Sequence, residues 1–284
     1  MIASTWIAAA LALLPLIAIL AHLVMTGASA LSPAFFVRTP APAGVPDGGM
    51  ANAIVGTCLL LGVAILIGVP IGLGAGLYCA DARTTRLAQS VRFVADVLSG
   101  LPSIVTGVVV WELVVRPAGH FSAYAGGLAL GLLMIPMITR ATEDMVRLVP
   151  SALVEAAYAL GFTRWRTAIT VLLRTALPGI VTASLVAIAR AAGETAPLLF
   201  TAFGSPYWSV DLGRPIAALP LQIYAFSQSP YDDWRAQAAL GALVLVVMIA
   251  ALSLTARTVL AARARFVRST ASNRPATIDI ERAP

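Results

Sequence analysis

Six apolar runs, each near the length a helix needs to cross a lipid bilayer, divide this chain: about Trp6 to Met25, Ala51 to Ala80, Phe93 to Val115, Ala123 to Thr139, Leu177 to Phe200 and Ala236 to Leu260. A hydrocarbon core about 30 Å thick takes roughly 20 apolar residues per helical span. Charged residues make up 11% of the chain and the mean hydropathy is +0.89, whereas a soluble domain carries about 25% charged residues. The expected fold class is therefore all-α, a polytopic transmembrane helical bundle of about six spans. Residues 1–50 form a first span and a Pro- and Gly-rich loop, residues 51–260 a five-span body, and residues 261–284 a polar tail. Ala28-Ser29-Ala30 resembles a leader cleavage site, but no basic residue precedes the first run and its apolar core is long, so a retained span is expected.

A net charge of +6 and a pI near 10 raise the question of nucleic acid, but the basic residues flank the apolar runs, so no nucleic-acid partner is expected. All 19 are Arg and none is Lys, which excludes the phosphate loop G-x-x-x-x-G-K-[ST] from this chain. ATP hydrolysis, if it drives this protein, belongs to another subunit. Arginine also sets the orientation. Arg83, Arg86, Arg92, Arg140, Arg147, Arg164, Arg166, Arg174, Arg257, Arg263, Arg265, Arg268, Arg274 and Arg282 fall on one side, and Arg38, Arg116, Arg214 and Arg235 on the other. That bias puts both termini in the cytoplasm, with the loops Gly27 to Met50 and Thr201 to Arg235 outside. Cys58 and Cys79, about 31 Å apart along one helix, cannot pair. His22 and His120 are isolated, so neither a metal nor a cofactor is expected.

In the second run Gly68, Gly72, Gly74 and Gly76 read as helix packing, and Pro70 as a bend. The inner loop from Arg140 to Ala176 is patterned as two short helices. Pro150-Ser151 starts the first, Gly161 ends it, and Thr163 caps a second that carries Arg164, Trp165 and Arg166 in its first turn.

The fifth run holds a charged pair. Arg190 lies about 20 Å into the helix counted from Leu177, and Glu194 follows four residues later on the same face. An ionisable side chain at bilayer depth costs roughly 2.5–3.5 kcal/mol, so the pair is expected to face the bundle interior or a wet cavity. Pro197 removes the hydrogen bond to the Gly193 carbonyl and kinks the helix there. The plainer reading is a self-neutralising pair, or one bound to Asp96; Asp96 and Glu112 themselves read as solvated span ends.

Glu155-Ala156-Ala157 followed by Gly161 resembles the EAA loop, E-A-A-x3-G-x9-I-x-L-P, of binding-protein-dependent ABC importer permeases, with Val171 and Leu173 at the Ile and Leu positions. Arg174 stands where that pattern has Pro, and Leu177-Pro178 follows. The stretch Ile188 to Thr201, with Gly100-Leu-Pro-Ser-Ile-Val105, Gly107, Pro206-Tyr-Trp-Ser209, Pro220-Leu-Gln-Ile-Tyr224 and Ser229-Pro-Tyr-Asp-Asp-Trp234, resembles the PstA-type phosphate permease family. The resemblance implies the MetI-like type I importer fold and a non-enzymatic role as half of a phosphate pathway in the bacterial inner membrane. It also implies the partners: a PstC-like second permease, two PstB-like ATP-binding subunits and an external PstS-like phosphate-binding protein, with ATP held by those partners. Arg190, Glu194, Thr195, Pro197 and Ser103 are then the pathway residues, and Glu155, Ala156, Ala157 and Gly161 the coupling residues.

Competing readings keep the machine and change the cargo to sulfate, molybdate or phosphonate, or make the chain the PstC-like half. A stand-alone secondary transporter would show two similar halves, and no such repeat is visible.

Overall fold

Proline and glycine positions decide where the apolar runs become single helices and where they break. The structure, a computed structural model, describes residues 2–45, 47–82 and 84–272. Arg83, Arg274 and Arg282 of the charge argument, and residues 273–284 of the tail, lie outside the described residues. Helix α1 spans Ile2–Gly27, α2 Pro33–Val37, α3 Ala51–Asp81, α4 Arg86–Gly100 and α5 Ser103–Ala118. Then come α6 at Ala123–Arg147, α7 at Ser151–Ala159, α8 at Arg164–Ala192, α9 at Ala196–Thr201, α10 at Leu219–Ser227 and α11 at Asp232–Ser272. Among the described residues all these elements are helical, and 5 helices are long and apolar enough to cross a membrane, or 6 if α4 and α5 count as one broken span.

That broken span corrects the expected run from Phe93 to Val115. Leu101 precedes Pro102, whose ring disfavours helical backbone in its neighbour, and Leu101 is extended at φ −74 and ψ 137. The axis bends there by 106°. Thr85 caps α4, its hydroxyl accepting from Ala88 N at 3.2 Å, and α5 restarts at Ser103. Pro70 lies inside α3, which is one helix from Ala51 to Asp81.

The fifth run is corrected at both ends. It starts earlier, because the second loop helix and the span form one helix from Arg164, with a π-turn at Ala168–Leu173. It stops at Ala192, and a new helix begins at Ala196. Gly193 is a poor helix former, and Pro197 cannot donate to its carbonyl. In the first turn of a helix, however, proline gives up no hydrogen bond and is already at helical φ. Pro197 therefore opens a helix rather than kinking one. The fourth span likewise runs past Thr139 to Arg147, which takes Arg140 to Arg147 out of the loop.

The core is the seam of α3 on α6, with α8 and α9 closing it through Leu60, Leu130, Met134, Ile138, Ile188 and Leu198. A Cβ on Gly72 would lie 2.7 Å from Ile138 Cβ, and one on Gly76 2.5 Å from Thr142 Cβ. Gly68 meets the Gly131 carbonyl in the same way at 3.0 Å. Small residues every fourth position let two backbones approach where lipid supplies no hydrophobic drive. Gly74 faces open space, with no atom within 4 Å of its Cβ direction, so it does not belong to this packing set. Helix α1 packs along α11, Gly27 sitting where a Cβ would lie 2.8 Å from Leu240 N.

Candidate functional site

The two breaks in the bundle meet. Between the α4–α5 bend and the end of α8 lies a cavity of about 160 Å³, lined by Ser99 and Leu101, by Ser103 at the start of α5, by Pro136 and Met137 of α6, and by Arg190 and Glu194. A polar cavity needs only some 10–15 Å³ of such space per water, so this one admits a hydrated ion. Pro136, on its wall, lacks an N–H and so cannot donate to the Leu132 carbonyl one turn earlier.

Arg190 occupies the last turn of α8 and Glu194 lies beyond it. The chain tightens through Gly193 N to Arg190 O and Glu194 N to Ala191 O, both 3.2 Å. Arg190 Nε stands 3.8 Å from Glu194 Oε1, with the two side chains 66% and 22% exposed. The pair is thus loose, held across a helix end rather than along one face. Asp96, the alternative partner, bonds Arg140 instead, at 3.0 Å from Arg140 Nε, and Glu112 pairs with Arg116.

Of the pathway residues expected from sequence, Ser103, Arg190 and Glu194 come together in this cavity. Thr195 and Pro197 do not line it. Thr195 is the half-buried residue preceding α9, and Pro197 is buried against α5, where a Cβ on Gly107 would lie 2.6 Å from Pro197 Cα. Its carbonyl accepts from Thr201 Oγ1 at 2.7 Å. Pro197 therefore supports the wall rather than forming it.

The inner loop adopts the expected caps. Pro150 precedes α7, and Gly161, at φ +78, closes it in a Schellman turn: Phe162 N bonds Ala157 O at 3.0 Å and Gly161 N bonds Tyr158 O at 2.9 Å. The Thr163 hydroxyl accepts from Arg166 N at 3.4 Å. Ala157 is buried, whereas Glu155, Ala156 and Gly161 are exposed beside Leu160, 77% exposed, and Trp165, 74% exposed. Large apolar side chains left exposed on a loop are suited to a protein or membrane contact.

A third cluster was not singled out from sequence. Glu143 of α6 is 1% exposed, and it accepts from Arg92 Nε at 2.7 Å and from Arg147. The spacing Arg140, Glu143, Arg147 is the signal that could have found it, once helix rather than loop is assigned past Thr139.

The family described as "binding-protein-dependent transport system inner membrane component" matches residues 68–269. The phosphate transport system permease protein PstA of Yersinia pestis is 45% identical over 247 residues, 87% of this chain and 84% of that protein. PstA 1 of Mycobacterium tuberculosis is 40% identical over 211 residues, 74% of this chain. Among solved structures, an inward-facing MetNI methionine ABC transporter chain superposes with a TM-score of 0.60 at 21% identity, over 75% of this chain and 96% of that one. This shows the MetI-type permease fold. With its cavity at two broken helices and its capped inner loop, this multi-pass inner-membrane chain belongs to the binding-protein-dependent permease components of ABC transporters and, among them, to the PstA phosphate transport system permeases.

Proposed function

We propose that this chain forms half of the pathway by which an ATP-driven importer moves inorganic phosphate across the inner membrane. The observation that carries the reading is Arg190: its side chain is 66% exposed on a membrane helix over a polar cavity. An arginine turned to lipid costs roughly 2.5–3.5 kcal/mol, so this face belongs against a wet path completed by a second, PstC-like permease. The guanidinium offers fork-shaped donors to an oxyanion, and the N-terminus of α5 at Ser103, without a side-chain cap, adds a partial positive charge. Glu194 accepts from a proton-bearing phosphate oxygen and repels a fully deprotonated anion. Thr195 and Pro197 hold the far side of the break.

The α7 loop, through Glu155, Ala156, Ala157 and Gly161, docks into one of two PstB-like ATP-binding subunits, which hold the ATP; a PstS-like binding protein delivers phosphate from outside. Both termini then lie in the cytoplasm, residues 51–260 are the five-span body, and the chain itself needs no cofactor. Arg190→Gln in the assembled transporter is expected to abolish phosphate uptake at normal expression. Wild-type uptake by that variant would reject the pathway role.

A further inference from the structure

Glu143 and its arginines lie outside the pathway reading, yet they hold one wall of its cavity. Arg92 of α4 donates Nε to Glu143 Oε1 at 2.7 Å and Nη2 to the carbonyl of Cys79, near the end of α3, at 2.6 Å. It therefore ties the middle of α4 to both core helices. One turn further along α4, Asp96 takes Nε of Arg140 at 3.0 Å. Two to five residues beyond that, Leu98, Ser99 and Leu101 form the cavity wall.

Arg140 stands between two carboxylates of unlike setting. Asp96, which it holds, has a side chain 61% exposed. Glu143, which it meets only in a long ion pair, has a side chain 2% exposed, and its Oε2 is buried without a hydrogen-bond partner, 3.7 Å from Arg140 Nη1. A buried carboxylate oxygen without a donor is costly, and a shift of under about 1 Å would bring the guanidinium to hydrogen-bond distance. Releasing Asp96 leaves that carboxylate to water and gives Arg140 a replacement partner already in place. An ion pair whose cation has a second carboxylate within reach can open without leaving that cation unpaired.

We propose that Asp96–Arg140 is a releasable latch on the cavity. In one state Arg140 holds Asp96 and with it the wall from Leu98 to Leu101; in the other Arg140 turns to Glu143 Oε2 and the wall moves about the Arg92 anchor. This rests on the reading of the cavity as part of the path.

The test uses the assembled transporter with its ATPase subunits. Ser99→Cys and Met137→Cys, both lining the cavity, in a background that lacks Cys58 and Cys79 and keeps Asp96 and Arg140, are bridged by a short bifunctional thiosulfonate. Bridging is expected to be fast at rest and about tenfold slower with ATP and vanadate, as for a latch whose closed population falls by that factor. Equal rates in both states overturn the latch. Asp96→Asn is expected to assemble normally, because Arg140 keeps Glu143, whereas Glu143→Gln takes the buried carboxylate from Arg92 and Arg147 and loses the complex. If Asp96→Asn loses the complex as completely as Glu143→Gln, the pair is structural and the proposal fails. Neither readout involves cargo, so an error about phosphate would leave both results unchanged.

Discussion

Replacing Gly76 by alanine is expected to damage the bundle, while the same change two residues away at Gly74 is expected to be harmless or helpful. At Gly76 the new methyl would lie 2.5 Å from Thr142 Cβ and 2.6 Å from the Thr139 carbonyl oxygen. Neither is the far end of a flexible side chain, so α3 and α6 have to separate. Non-bonded carbons settle at about 3.5–4.0 Å, so the seam opens by about 1 Å and loses its dispersion contacts along several turns. Overpacking of this kind costs about 1–3 kcal/mol. At Gly74 no atom lies within 4 Å, and alanine gains up to about 1 kcal/mol of helix propensity. Gly76→Ala gains the same propensity, so the two variants should differ by the overpacking cost, about 1–3 kcal/mol, roughly 5- to 150-fold in the folding equilibrium. Thermal unfolding of the purified complex, followed by the loss of the monodisperse size-exclusion peak, measures the difference. Equal midpoints for the two variants would refute the seam as the tightest constraint on this fold.

Two further changes probe the loop and the wall. Gly161→Ala forces a left-handed backbone at φ +78 on a residue with a Cβ, a penalty of about 1–2 kcal/mol; the expected result is assembled transporter with a lower ratio of uptake to ATP hydrolysis, read by paired assays in vesicles. Gly107→Ala pushes α5 from α9 at Pro197, at about 1–3 kcal/mol for overpacking, and is expected to lower both stability and uptake, whereas Gly100→Ala, with open space around it, should alter neither.

Span number, the α7 caps and the placing of Arg190 and Glu194 on a polar cavity were legible because each rests on local chemistry: run length, a glycine free to take positive φ, and a charge too costly for lipid; Ser103 came only from the resemblance. The breaks were legible only in part. Leu101-Pro102 and Gly193 to Pro197 carry the right residues, but an apolar run reads the same whether the helix continues or turns, and only packing decides. Gly107 against Pro197 shows how: that close approach sets α5 beside α9, which requires both helices to be short. Glu143 was hidden for a related reason. Ending α6 at Thr139, where apolar character stops, put its acid in a loop, although the Arg140, Glu143 and Arg147 spacing extends the helix two more turns.

Among the described residues, the ion pairs that join one bundle helix to another, Arg92–Glu143 and Arg140–Asp96, both link α4 to α6. The α7 loop leads through Val149 to the end of α6, where Arg147 meets Glu143. Glu143 reaches α4 through Arg92, and α4 ends at the bend that walls the Arg190 cavity. An unbroken α4–α5 helix would carry motion at its inner end straight through the membrane as tilt. With a 106° bend at Pro102, α5 stays fixed on Pro197, while the end of α4 beyond the Arg92 anchor is separated from it and can move against the cavity. The division matches what the residues provide: glycine-to-backbone contact, which tolerates no displacement, holds α5 and α9, and exchangeable ion pairs hold α4.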